Sequence, residues 1–383
     1  PYQTIGGETY DSGNYEAATA RAMELFDYDG LRAEQRRRRE SHDPVQLGIG
    51  ISTFTEMCGL APSRTLSALK YAAGGWEHCT IRILPTGKVE LVTGTSPHGQ
   101  GHATAWSQIA SDSLGIPVDD IEVIFGDTRH SPYGMDTYGS RSLAVGGVAI
   151  LHAAEAAVAK ARVIAGHMLE ASPDDLEFVD GSFRIKGDPD TAKTIQAVAW
   201  EAFTSHDLPD GTDPNLFGSS TVDPGVFSYP HGTHLCAVEV DTETGMPKIR
   251  SYVAVDDVGV QINPMIVEGQ IHGGLAEGIG IALMEVLTFD EEGNCLNSSF
   301  MDYLIPTSLE TPDFELGETV TPCPHHPLGA KGVGESPNVG SPPAIVNAVI
   351  DALHETHGVD HIDMPCTPAR VWAAMQGRPE PPQ

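Results

Sequence analysis

The sequence predicts an α+β fold of two α+β subdomains, residues 47–204 and 205–383, behind a helical lead-in and linker over residues 1–46. Three observations predict it. Apolar runs with strand alternation are joined pairwise by short turns, as in hairpins. Longer stretches with helical spacing lie between these pairs. The two kinds of segment do not alternate strictly as βαβ units, which disfavours a doubly wound parallel sheet.

The lead-in carries residues 14–40, helical in spacing and broken near "DYDG". Its "RRRR" run (Arg36–Arg39), flanked by Glu34 and Glu40, reads as a solvated helix face. "LGIGISTFTEM" (47–57) suits a buried strand, and residues 77–96 form two alternating runs joined by "PTGK". "GQGHATAWSQIASDSLG" (99–115) is a Gly-rich turn opening a helix, and "IEVIFGD" (121–127) reads as a strand. Residues 141–171 form the longest helical stretch, and 176–187 a second hairpin with a D-G turn. A loop section rich in Asp, Pro and Gly (205–230) is the expected subdomain boundary. Residues 234–259 read as a third hairpin and 267–287 as a glycine-containing buried helix. In the last long helix, "PAIVNAVIDALHETHG" (343–358), Ser341 is the expected N-cap with Pro342 in the first turn.

Composition bounds the chemistry. The formal charge is -31, from 53 acidic against 22 basic residues, only seven of them lysine. Phosphate-rich partners would be repelled, so nucleic acid and anionic membranes are not expected to bind. The surface is either an ordinary acidic one or the carboxylate-rich, lysine-poor kind suited to a salty cytoplasm. Six cysteines lie far apart with no C-x-x-C pair, as expected of reduced thiols in a cytoplasmic protein. No signal peptide and no uncharged apolar run of membrane-spanning length is recognised. The chain opens Pro1-Tyr2-Gln3 and reads as the continuation of something longer.

Four Gly-rich stretches stand out: 97–105, 137–147, 267–274 and 329–344. None is a P-loop or a G-x-G-x-x-G, and any one of them could merely turn the chain. Together they suggest a large ligand with many polar edges, held mainly by backbone N–H groups. Three histidine pairs (His98 and His102, His231 and His234, His354 and His357) have ligand-like spacing. "HETH" is one residue short of a zincin motif and no cysteines complement the pairs, so no metal is expected to be ligated by this chain. Glu335 lies in the fourth stretch, six residues before the expected helix start. Partial burial there would raise its pKa and suit it to accept a proton. Lys331 would then face the anionic end of the ligand.

The motifs taken together resemble a family. "HGQGHATAWSQIASDSLG", "DTYGSRSLAVGG", "INPMIVEGQIHGG" and "GAKGVGESP" are similar, in the same order, to the C-terminal, molybdenum-cofactor-binding half of the xanthine oxidase family's large subunit. Residues 299–315 and 319–340 are most similar to its aerobic carbon monoxide dehydrogenase branch. The resemblance implies a molybdopterin cytosine dinucleotide carrying molybdenum, with Gln100, Gly101 and His102 near the metal. It places Thr137, Tyr138, Gly139, Ser140, Arg141 and Ser142 on the pterin and phosphates, and Gln270, Lys331, Gly332, Val333 and Gly334 on further cofactor edges. Glu335 matches the family's catalytic base. Copper, in the carbon monoxide branch, would be bound by a cysteine of an N-terminal half that this sequence lacks. That half, an iron–sulfur small subunit and an FAD-binding medium subunit would be partners, in a dimer of heterotrimers. The same family also holds hydroxylases of aldehydes and N-heterocycles, and a non-catalytic scaffold fragment is the reading from a different class.

Overall fold

A computed structural model describes residues 1–60, 62–131 and 133–379. The chain runs through β1 (Tyr2–Gln3), β2 (Thr9–Tyr10), α1 (Tyr15–Leu25), α2 (Tyr28–Glu40), β3 (Val45–Thr55), α3 (Ser63–Ala68), β4 (Glu77–Ile83) and β5 (Val89–Thr93). It continues with α4 (His102–Leu114), β6 (Ile121–Ile124), α5 (Val148–Met168), β7 (Leu176–Val179), β8 (Ser182–Ile185), β9 (Asp188–Thr194) and α6 (Ile195–Thr204). The remainder is β10 (Leu216–Val222), β11 (His231–Asp241), β12 (Pro247–Asp257), α7 (Pro264–Leu283), β13 (Phe314–Glu318), α8 (Ser336–His357) and α9 (Pro368–Met375). Helices and mostly antiparallel sheets mix as an α+β fold, and the three expected hairpins form at β4–β5, β7–β8 and β11–β12.

Among the described residues, two four-stranded sheets organise the molecule. The first has strand order β10-β4-β5-β6, with β6 parallel to β5 and the other pairs antiparallel. Helix α5 lies across it. Ala149, Ala153, Ala157, Ala161 and Ala165, four residues apart, are fully buried and form its contact stripe. Trp106 and Ile109 of α4 complete that core. With the preceding π turn (Ser142–Gly147), α5 forms a 27-residue helix whose most apolar window has a mean hydropathy of 1.6. By length and composition it could cross a bilayer, but Glu155, Lys160 and Arg162 interrupt it, so no uncharged run of membrane-spanning length occurs. Here that apolarity faces the sheet, and 61% of its most apolar window is buried.

The second sheet has order β13-β12-β11-β3 and buries both faces. Helices α7 and α8 cover one face and α1 the other. Helix α8 rests directly on β3, because Gly48 and Gly50 have no side chains. A Cβ at either would lie within 2 Å of a carbonyl oxygen, Ala348 at 1.9 Å or Ala344 at 1.8 Å.

Four expectations need correction. Strand β3 pairs with β11 in the second sheet, and α1 and α2 pack on that sheet, so residues 1–46 are part of a core and not a linker. Strand β10 pairs with β4, so the loop section 205–230 contains a strand of the first sheet. Both errors share a cause: strand partners are chosen by non-local pairing that local patterning does not encode. The arginine run is only half solvated. Arg38 bonds Glu34 at 2.7 Å and Glu239 at 2.8 Å, while Arg39 bonds Glu355 at 2.8 Å, tying α2 to the sheet and to α8.

The fourth correction matters most for the site. Helix α8 begins at Ser336, not near Ser341, and runs through Pro342 and Pro343. Interior prolines cost about 3 kcal/mol each. Burial of Ile345, Val349 and Leu353 contributes about 1.5–3 kcal/mol apiece and offsets that cost. Glu335 therefore occupies the N-cap position.

Candidate functional site

Between the two sheets lies a cavity of about 600 Å³, walled by all four Gly-rich stretches. Each stretch runs into, or lies in the first turns of, a helical element. His102 opens α4, Ser142 opens the π turn before α5, Asn263 caps α7 and Glu335 precedes Ser336 of α8. Helix N-termini present unpaired N–H groups and partial positive charge. In a chain of net charge -31, this convergence makes an anion-accepting site without relying on lysine.

Thirteen of the fifteen expected site residues line the cavity: Gln100, His102, Thr137, Tyr138, Gly139, Ser140, Ser142, Gln270, Lys331, Gly332, Val333, Gly334 and Glu335. Gly101 and Arg141 do not. Gly101 is the N-cap of α4 at φ +79, and a Cβ there would lie 2.8 Å from Ile266. Arg141 is fully buried, paired with Glu77 and donating to the carbonyls of Gly75 at 2.9 Å, Trp76 at 3.1 Å and Asp136 at 2.5 Å. It shapes the 137–142 loop from behind.

Lys331 lines the cavity but does not present its charge there. Its Nζ is buried, 3.6 Å from Asp257 and donating to Thr321 Oγ1 at 3.1 Å. Asp257 also accepts from Thr319, Thr321 and Gly259. The expectation that the ammonium faces a ligand is corrected: a buried carboxylate holds it more strongly than an open cavity would.

Glu335 is exposed, not partly buried as expected. Its side chain makes no capping bond. Instead Oε2 accepts from Ser140 Oγ at 2.9 Å, and the same Oγ accepts from the Glu335 N–H at 3.1 Å. Ser140 reaches this position at φ +51, a left-handed conformation that a non-glycine residue adopts only where its surroundings hold it. Gly332 lets the two loops touch, since a Cβ there would lie 2.4 Å from the Ser140 carbonyl oxygen.

Patterning did not single out several groups. Behind Glu335, the Glu56 carboxylate accepts from Ser336 Oγ at 2.7 Å. Burial, opposed by that bond and reinforced by the nearby charge of Glu335, pushes the Glu56 carboxyl above its ordinary value. Burial and Glu56 together push the Cys58 thiol well up, so it is no thiolate. Trp106 also lines the cavity and stacks on His102, with ring centroids 4.7 Å apart. Asn263 lines it too and donates to Gln108 at 2.9 Å. An N-cap Asn before Pro264 was the available signal for Asn263.

Buried His102 Nδ1 and Trp106 Nε1 have no hydrogen-bond partner. Burial, and then nearby His98, push the His102 imidazole down to about 4, opposed by Asp136. Both atoms are buried beside the cavity, where unpaired polar atoms are costly. The donor set fits an elongated, polyanionic, polar-edged group. Among the described residues no cluster of three or more His, Cys, Asp or Glu could hold a metal by itself.

Comparison with known proteins shows what this chain is similar to. The family profile described as a molybdopterin cofactor-binding domain matches residues 21–312. The carbon monoxide dehydrogenase large chain of Hydrogenophaga pseudoflava is 48% identical over 377 residues, covering 98% of this chain and 46% of the relative. The nicotine 6-hydroxylase large subunit of Paenarthrobacter nicotinovorans is 35% identical, with the same coverage of each. A solved Cu,Mo carbon monoxide dehydrogenase in its carbon monoxide reduced state superposes with TM-score 0.92 at 44% identity, covering 98% of this chain and 47% of that one. The chain thus spans about half the length of the curated relatives it matches.

Proposed function

The chain belongs to the molybdopterin cofactor-binding domain family, and from that premise we propose that it is the cofactor-holding, proton-accepting part of a carbon monoxide dehydrogenase large subunit. The reaction is CO + H₂O → CO₂ + 2 H⁺ + 2 e⁻. The observation that carries the reading is Glu335, fixed by Ser140 at the mouth of a cavity built from four helix starts. Greater identity to the carbon monoxide dehydrogenase large chain than to the nicotine hydroxylase, 48% against 35%, supports the substrate.

When bound, a molybdopterin cytosine dinucleotide with molybdenum, and with copper held by a cysteine outside this chain, supplies the two-electron redox step. The chain's own residues hold, orient and move a proton. Backbone N–H groups of 99–102, 138–142 and 332–334, with the side chains of Gln100, His102, Asn263 and Gln270, grip the polar edges. Ser140 occupies Oε2 of Glu335 and leaves Oε1 to accept a proton. Lys331 and Arg141 act from behind, by fixing their loops. Electrons leave through iron–sulfur and FAD-binding partner subunits in a cytoplasmic dimer of heterotrimers.

Glu335→Gln in the intact complex tests the reading. Molybdenum content should stay unchanged while turnover of carbon monoxide falls by about 10²–10⁴, the usual contribution of a positioned proton acceptor. Turnover above a tenth of wild type refutes the role of Glu335, and a native complex without molybdenum refutes the cofactor. If molybdenum is present, copper absent and an N-heterocycle turned over, the substrate assignment passes to the hydroxylase branch.

A further inference from the structure

Residues 284–310 leave α7 and form an ordered loop with its apolar side chains turned outward. Phe300 is 82% exposed, Met301 86% and Leu309 89%, and Leu287, Phe289 and Leu296 are each more than half exposed. Monomer surfaces rarely gather so many large apolar side chains without a use for them.

The loop is held in shape by its own polar groups. Buried Asn297 accepts from the Thr288 N–H at 3.0 Å and donates to the Val286 carbonyl. Asp290 accepts from the Asn294 N–H at 2.8 Å, and the Tyr303 hydroxyl donates to Glu285. A hollow of about 460 Å³ opens between Leu287, Asn297, Phe300 and Tyr303. The surface is organised before anything covers it, which lowers the ordering cost of docking.

The rim limits what can dock. Glu291, Glu292, Asp302 and Glu310 are exposed around the apolar residues, and no lysine or arginine occurs anywhere from residue 251 to 330. A two-fold contact between copies would set this acidic rim against itself, with no cation of the segment between them. The occupant needs an apolar centre and a basic edge. Such apolar surfaces suit permanent interfaces more than transient ones. Each relative carries more than half its length outside the match, and that length is available to cover the loop permanently.

We propose that residues 284–310 are the docking surface for the portion of the large subunit that lies outside this chain. The inference rests on reading the chain as part of such a subunit.

Hydroxyl-radical footprinting of the native assembly, with carboxyl–amine zero-length coupling, tests it. Phe300, Met301 and Leu309 should label at least about tenfold less in the assembly than after unfolding, as in the dry centre of an interface. Glu291, Glu292, Asp302 or Glu310 should couple to lysines of the same subunit outside residues 1–383. Labelling as strong as in the unfolded protein overturns the proposal. So does coupling between two copies in an isotopically mixed sample, or coupling only to another subunit. Molybdenum analysis of the same preparation separates the two readings. A protected loop without molybdenum keeps the docking surface and removes the cofactor assignment, and an unprotected loop with molybdenum does the reverse.

Discussion

Glu335 and Lys331 share one loop and do different physical work. Glu335 stays exposed at the cavity, while Lys331 is buried against Asp257. Removing one partner of a buried pair leaves the other charge uncompensated. Lys331→Met should therefore destabilise the protein by about 3 kcal/mol in urea unfolding. A lysine that served only a ligand would leave stability unchanged. Glu56 gives a pH dependence. Its folded pKa is raised above the ordinary value of 4.5, so the folded state binds more protons than the unfolded one as pH rises through that range. Stability then falls with rising pH between 4.5 and the folded value. Glu56→Gln keeps an acceptor for Ser336 and removes the charge. Its melting temperature should exceed wild type at pH 8, and the gain should shrink toward pH 4. A constant difference across that range would show that Glu56 does not titrate there.

At the scale of elements, glycine sets how closely helix and strand approach. Strand β3 meets α8 backbone to backbone at Gly48 and Gly50, and α8 carries Glu335 at its start. Gly50→Ala would place a Cβ 1.8 Å from the Ala344 carbonyl oxygen, so the helix must move. Overpacking of this kind costs about 1–3 kcal/mol, and more where the obstacle is backbone. Reduced cofactor retention should accompany the loss of stability, because a shifted α8 displaces the 332–334 backbone that leads into it on the cavity wall; calorimetry and metal analysis on one sample check both. Two prolines inside α8 show the converse, tertiary packing carrying a helix through residues that discourage it. For that reason the true helix start was not legible in "SPNVGSPPA", where proline and glycine read as loop.

Charge acts on the whole molecule. With 53 acidic and 22 basic residues, self-repulsion opposes the folded state at low salt. The Debye length shrinks from about 10 Å at 0.1 M to about 3 Å at 1 M. Raising sodium chloride over that range should raise the melting temperature, by about 2 °C for each kcal/mol of repulsion relieved. No change, or a fall, would show that local ion pairs such as those of Arg38 and Arg39 outweigh the net charge.

By itself the sequence determined the α+β class, the three hairpins and most of the cavity wall. Turn chemistry and Gly-rich loops are local, so "PTGK", "GQGH", "TYGSRS" and "GAKGVGES" could be read without knowing their neighbours. Only the tertiary structure decided that β3 joins β11, that β10 joins β4, that Arg141 and the Lys331 ammonium turn away from the cavity and that Ser140 holds Glu335. Each of these is a contact between residues far apart in the chain. Strand partners and buried ion pairs are selected by shape and desolvation in the assembled core, and no local pattern carries that information.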